Sequence, residues 1–145
     1  MQNDLKAIVI AAAAAHELPA AVVCAIVTRE SSWNPWVIRF EPAFFNRYVL
    51  PAYTNNKFDI TEAKARSFSW GLMQVMGQVA RESGFTGPLA SLCDPTIGAP
   101  IGCKVFASKL ELAGGDVGKG LQLWNGGSNP NYAAEVLTLA AHADA

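Results

Sequence analysis

Nearly every apolar run in this chain has helical spacing, and proline or glycine cuts each one short. Residues 3–15 are rich in Ala, Leu and Ile, with Asn3 placed to cap them. Pro19 suits the first turn of a second helix, whose Val22, Val23, Ile26 and Val27 share a face and which Asn34-Pro35 should end. Leu72, Val75, Met76 and Val79 predict a helix over residues 70–83, closed by Gly84. Further helices are expected from Thr61, from Thr96 or Pro100 up to Gly114-Gly115, from a cap at Asp116 to Trp124, and from Asn129-Pro130 through Val136, Leu137 and Leu139. Such short stripes can be buried only by packing helix on helix, so the expected class is all-α. Residues 36–60 alone depart from it. There Trp36, Phe40, Phe44, Phe45, Tyr48 and Tyr53 lie among Pro42 and Pro51, a pattern read as short helical or extended pieces forming a cleft wall, with room for one small strand pair.

At 145 residues and 15.4 kDa the chain has the size of a single domain, residues 1–145. Eleven basic against twelve acidic residues give a net charge of −1, which excludes a broad electrostatic grip on nucleic acid or anionic membrane. Lys6 followed by Ala7 to Ala15 imitates a secretory signal, but His16 and Glu17 break the run far short of a membrane span; a first helix of the mature domain is expected. Of three cysteines, Cys93 and Cys103 could close a loop, while Cys24 among Val22, Val23 and Ile26 reads as a buried thiol. No metal or other cofactor is implied: His16 and His142 are far apart, and no Cys-x-x-Cys pair, phosphate loop or serine elbow occurs.

Glu30 follows an apolar helix face directly and sits among Ser31, Ser32 and Trp33. Beside apolar walls a carboxyl loses solvation and holds its proton toward neutral pH, as a general acid must; at a solvated helix end it would do nothing of the kind. Three motifs in order decide between these: Glu30-Ser31-Ser32-Trp33-Asn34-Pro35, Gly71-Leu72-Met73-Gln74 and Trp124-Asn125-Gly126-Gly127. Together they resemble the soluble lytic transglycosylase and goose-type lysozyme superfamily, in particular the single-domain enzymes encoded by phages.

The resemblance implies a lysozyme-like helical domain that cleaves the β-1,4 bond between N-acetylmuramic acid and N-acetylglucosamine in bacterial peptidoglycan, with Glu30 as the catalytic acid. It also implies substrate contacts at Ser31, Met73, Gln74, Trp124 and Asn125. Two departures stand out. Trp124 occupies the place of a family tyrosine whose hydroxyl approaches the catalytic carboxylate, and an indole has only an N–H to offer. The connection from Glu30 to Gly71 is longer than in compact members, the extra chain being the aromatic segment: either a wall on which sugars stack or a satellite core.

Glycosidases ordinarily use two carboxylates, and Glu41 is the candidate second acid, with Asp59, Glu62 and Asp94 weaker. If none approaches Glu30, the family's lytic route applies, in which one Glu is acid and then base and a 1,6-anhydro sugar results; if one positions a water, the outcome is hydrolysis. Two other classes stay open, a peptidoglycan-binding module without turnover and an interaction domain that meets a protein through its aromatics. A monomer is expected, made in a bacterial cytoplasm and acting on the periplasmic wall as an endolysin, or from a virion.

Overall fold

The computed structural model describes residues 2–142. Helix α1 (Gln2–Ala15) leads into α2 (Ala20–Ser31), and Pro19 sits at the N-cap, one position outside the first turn it was expected to occupy. After β1 (Ile38–Phe40) comes a run of helical pieces: α3 (Pro42–Phe44), a π-helical turn (Phe45–Val49), α4 (Leu50–Thr54) and α5 (Ile60–Arg66), the last capped by the Asp59 carboxylate on the Glu62 amide at 2.9 Å. Strands β2 (Phe68–Trp70) and β3 (Val75–Met76) precede α6 (Gly77–Glu82), a 3-10 turn (Leu89–Cys93), α7 (Pro95–Leu112), α8 (Val117–Asn125) and α9 (Tyr132–His142). The fold is predominantly helical with one small sheet.

That sheet corrects two expectations. It has three antiparallel strands in the order β1-β2-β3, with Ile38 opposite Trp70 and Trp70 opposite Val75, so one strand lies in the aromatic segment and two lie beyond it. The helix expected over residues 70–83 is confined to Gly77–Glu82, because Gly71-Leu72-Met73-Gln74 is the loop of a hairpin. Gly71 and Gln74 both take left-handed backbone, at φ 73° and 52°, which no helix accommodates. The helical spacing of Leu72, Val75 and Met76 arises because the loop turns Leu72 and Met73 into the core while Val75 is buried from β3.

Two apolar clusters flank the sheet. The larger draws Val9 and Ala13 from α1, Val23, Ile26 and Val27 from α2, Phe106 from α7, Leu121 from α8, and Tyr132 and Val136 from α9, with Leu72 and Met73 plugged into it. The smaller comprises Phe45, Val49 and Ala63, covered by Phe40, Phe44, Leu50, Tyr53 and Phe58. Phe40 of β1 packs on the small cluster and Trp70 of β2 on the large one, so the strands join the two. Glu62 ties α5 to α6: its carboxylate accepts from Arg66 Nε at 2.9 Å and from Arg81 Nε at 2.7 Å, which holds it below its ordinary pKa.

Helix boundaries moved where caps decide them. Helix α7 opens at Pro95 under the Asp94 carboxylate, with Pro100 inside it, and Asp116 caps α8 as expected. Helix α2 stops at Ser31, ahead of Asn34-Pro35, because Ser32 and Trp33 turn left-handed. The cysteines are all free and buried, so no Cys93–Cys103 bridge closes the loop. Cys103 instead feels Cys24, and burial pushes its thiol up to about 12.

Gly71 is the tightest point of the hairpin. A Cβ there would lie 2.6 Å from the Leu92 carbonyl oxygen, a backbone atom that cannot swing aside, on a backbone conformation that already disfavours side chains. Gly71→Ala should therefore destabilise the domain by about 2 kcal/mol or more, read as a lowered urea midpoint at unchanged slope.

Candidate active site

Glu30 lies in the last turn of α2, where the helix ends abruptly. Ser32 at φ 50° and Trp33 at φ 66° reverse the chain, a strained pair for residues with side chains. Trp33 is held by its indole N–H donating to Thr28 Oγ1 at 2.9 Å, and Ser31 Oγ donates back to the Val27 carbonyl at 3.1 Å. Burial pushes the Glu30 carboxyl above its ordinary value of 4.5, and Tyr132, Arg29 and Arg39 each oppose that rise. The carboxyl is thus partly withdrawn from water.

The hydroxyl of Tyr132 donates to Glu30 Oε2 at 3.2 Å across the contact between α2 and α9. Tyr132 is 2% exposed, and its own pKa is raised by burial and then by the Glu30 charge. Trp124 opposes that rise, and its ring stands edge-on against Phe106 at 5.9 Å. Arg29 lies 5.7 Å over the Tyr132 ring and pairs with Glu135 at 3.0 Å, one turn further along α9. An open groove of about 580 Å³ follows that ion pair, lined by Arg29, Asn131, Ala134, Glu135, Thr138 and Leu139.

The other residues expected at the site are placed more widely. Met73 is 1% exposed, its sulfur against Gly102; it belongs to the core and offers no face to a sugar. Gln74 Nε2 donates to the Val37 carbonyl at 2.8 Å and the Gly71 carbonyl at 3.0 Å, which locks the hairpin loop to the strap between α2 and β1. The Ser31 hydroxyl is committed to its own helix. Asn125 secures the α8–α9 turn, its Oδ1 accepting from the amides of Asn129 at 2.9 Å and Ser128 at 3.2 Å. Trp124 packs against Phe106 at the edge of the main core. Glu41 accepts from Arg39 Nε at 2.8 Å. Among the described residues no three His, Cys, Asp or Glu side chains gather as a metal site requires, and no helix is long and apolar enough to cross a membrane.

Tyr132 is the residue that sequence reasoning missed. Tyr132 and Val136 stand four apart on one face of α9, and a buried tyrosine needs a partner for its hydroxyl; those two facts together could have pointed to it.

The family model described as the transglycosylase SLT domain matches residues 7–138, from within α1 into α9. The chain belongs to this family. No curated protein and no solved structure matches it. As an SLT domain it falls, at family level, among the peptidoglycan-degrading transglycosylases. The domain's buried acid also makes its stability depend on pH. The folded pKa of Glu30 lies above the unfolded one, so the native state keeps a proton that the unfolded chain releases. The group's contribution is full below the unfolded value and is lost as pH rises toward the folded one. Glu30→Gln cannot ionise, so its Tm should gain on the wild type's as pH is raised from about 4 to 7.

Proposed function

We propose that this SLT domain cleaves the β-1,4 bond between N-acetylmuramic acid and N-acetylglucosamine by the lytic route, with Glu30 as acid and then base. The observation that carries the proposal is a partly buried carboxyl with a hydroxyl donor 3.2 Å away, while the candidate second acid, Glu41, is engaged by Arg39. Protonated Glu30 gives its proton to the glycosidic oxygen as the bond to the anomeric carbon breaks. The substrate's own N-acetyl oxygen supports that carbon. Glu30, now a carboxylate, takes the proton of the muramic 6-hydroxyl, whose oxygen closes on the anomeric carbon to form the 1,6-anhydro sugar.

Tyr132 suits this double duty. Its hydroxyl stabilises the carboxylate formed in the first half, and burial restores the proton affinity needed for the next turnover. Arg29 and Arg39 act in the same direction as Tyr132, from further away. Glu41 paired with Arg39 is poorly disposed to position a water, which favours the lytic route over hydrolysis. The raised Glu30 with its hydroxyl partner also favours turnover over a binding module. The proposed place of action is the periplasmic wall, reached in the manner of a phage endolysin or virion enzyme.

Mass spectrometry of soluble fragments released from purified peptidoglycan tests the reaction. Muropeptides one water lighter than reducing-end products are expected from the wild type, with release by Glu30→Gln reduced at least about 100-fold. Reducing-end products would mean hydrolysis and direct attention to Glu41. Loss of the hydroxyl in Tyr132→Phe removes a contact that favours the charged carboxylate, so the Glu30 pKa rises further. Cleavage starts from protonated Glu30, so the alkaline limb of kcat/KM should shift to higher pH, measured by clearing of a peptidoglycan suspension.

A further inference from the structure

The structure divides the aromatic segment into two kinds of residue. Phe40, Phe44, Phe45, Tyr53 and Phe58 form the small cluster, and Tyr48, although 57% exposed, stacks on Phe44 at 5.0 Å under Arg47. Trp36 has no such place. It is 75% exposed, and among the described residues no aromatic ring or cation packs on its indole. The other three tryptophans are half-buried and tied: Trp33 to Thr28, Trp70 to the Ala65 carbonyl at 2.9 Å, and Trp124 against Phe106.

The backbone under this lone indole is held firmly. The Trp36 amide donates to Asn34 Oδ1 at 3.0 Å, Pro35 fixes the preceding φ, and the Val37 carbonyl accepts from both Gln74 Nε2 at 2.8 Å and the Gly71 amide at 2.9 Å. A large apolar side chain is thus displayed on a rigid strap that runs from the Glu30 helix to the Gln74 loop. Leaving an indole in water forgoes its burial energy, and a pre-ordered support lowers the cost of binding something on it.

We infer that Trp36 is a specificity-determining platform on which one pyranose ring of the glycan strand stacks, at a subsite removed from the bond cleaved. The inference rests on the reading of this domain as a glycan-strand enzyme. A pyranose presents a face of C–H groups that suits the electron-rich face of an indole. A protein partner would instead call for a cluster of anchors, whereas the exposed Asn34 and Arg39 surround Trp36 with polar groups and Ile38, 48% exposed, adds a single aliphatic side chain.

The test uses uncrosslinked glycan strands, freed of peptides by amidase digestion, and the full chain carrying Glu30→Gln so that nothing is cleaved. Iodide reaches Trp36 more easily than the half-buried tryptophans, so the strands should protect fluorescence from iodide quenching. Adding Trp36→Ala should remove that protection and weaken strand binding about tenfold, equivalent to about 1.4 kcal/mol, while Trp36→Phe should retain most of the affinity. In the active protein Trp36→Ala should raise KM for the strands far more than it lowers kcat. Equal strand affinity with Trp36 and with Ala in its place overturns the platform. So does a failure of the strands to protect Trp36 when the wild type still releases fragments from peptidoglycan. Absence of any release by the wild type overturns the cleavage reading itself, a separate result.

Discussion

The contact between α2 and α9 decides the character of this molecule. It takes the Glu30 carboxyl largely out of water and supplies in return one hydrogen bond, from the Tyr132 hydroxyl. A buried carboxylate with a single neutral donor is poorly compensated, so the proton is held more tightly than in water. That imbalance costs stability at neutral pH and creates an acid. Around it, Glu135 engages Arg29 beside Glu30, and Asn125 secures the turn that precedes α9.

Residues that look chemical in the sequence turn out to serve the frame. Gly71-Leu72-Met73-Gln74 is a hairpin loop that drives two apolar side chains into the main core and ties its last amide across to Val37. Through that tie the sheet, the strap after α2 and the core hold one geometry. The tie also explains a polar residue with left-handed backbone at Gln74: its side chain donates once to the Gly71 carbonyl of the loop it closes and once to the Val37 carbonyl of the strap. The aromatic segment answers the second of its expected descriptions, since most of its rings build a small second core, while Trp36 stays exposed beside it.

Much was legible before the chain was folded. Proline and glycine punctuation marked most helices, because φ restriction and left-handed turns are properties of those residues alone. The position of Glu30 at the end of an apolar helix face left open whether its carboxyl met water, and the three motifs singled it out. The helix expected over residues 70–83 failed for a specific reason: spacing records which side chains are buried, and a hairpin loop that inserts Leu72 and Met73 leaves the same record as a helix face. Met73, expected from the resemblance at the sugar cleft, lies instead in the core, at 1% exposure.

Local chemistry in the sequence determined a helical domain, an acid at the end of its second helix and a family membership carried by three short motifs. The partner of that acid was decided only in three dimensions. Tyr132 lies 102 positions from Glu30, and nothing between them in sequence encodes the distance. Which polar groups share a buried space depends on how helices cross. That is set by the sum of all side chains in the interface and not by any segment within it.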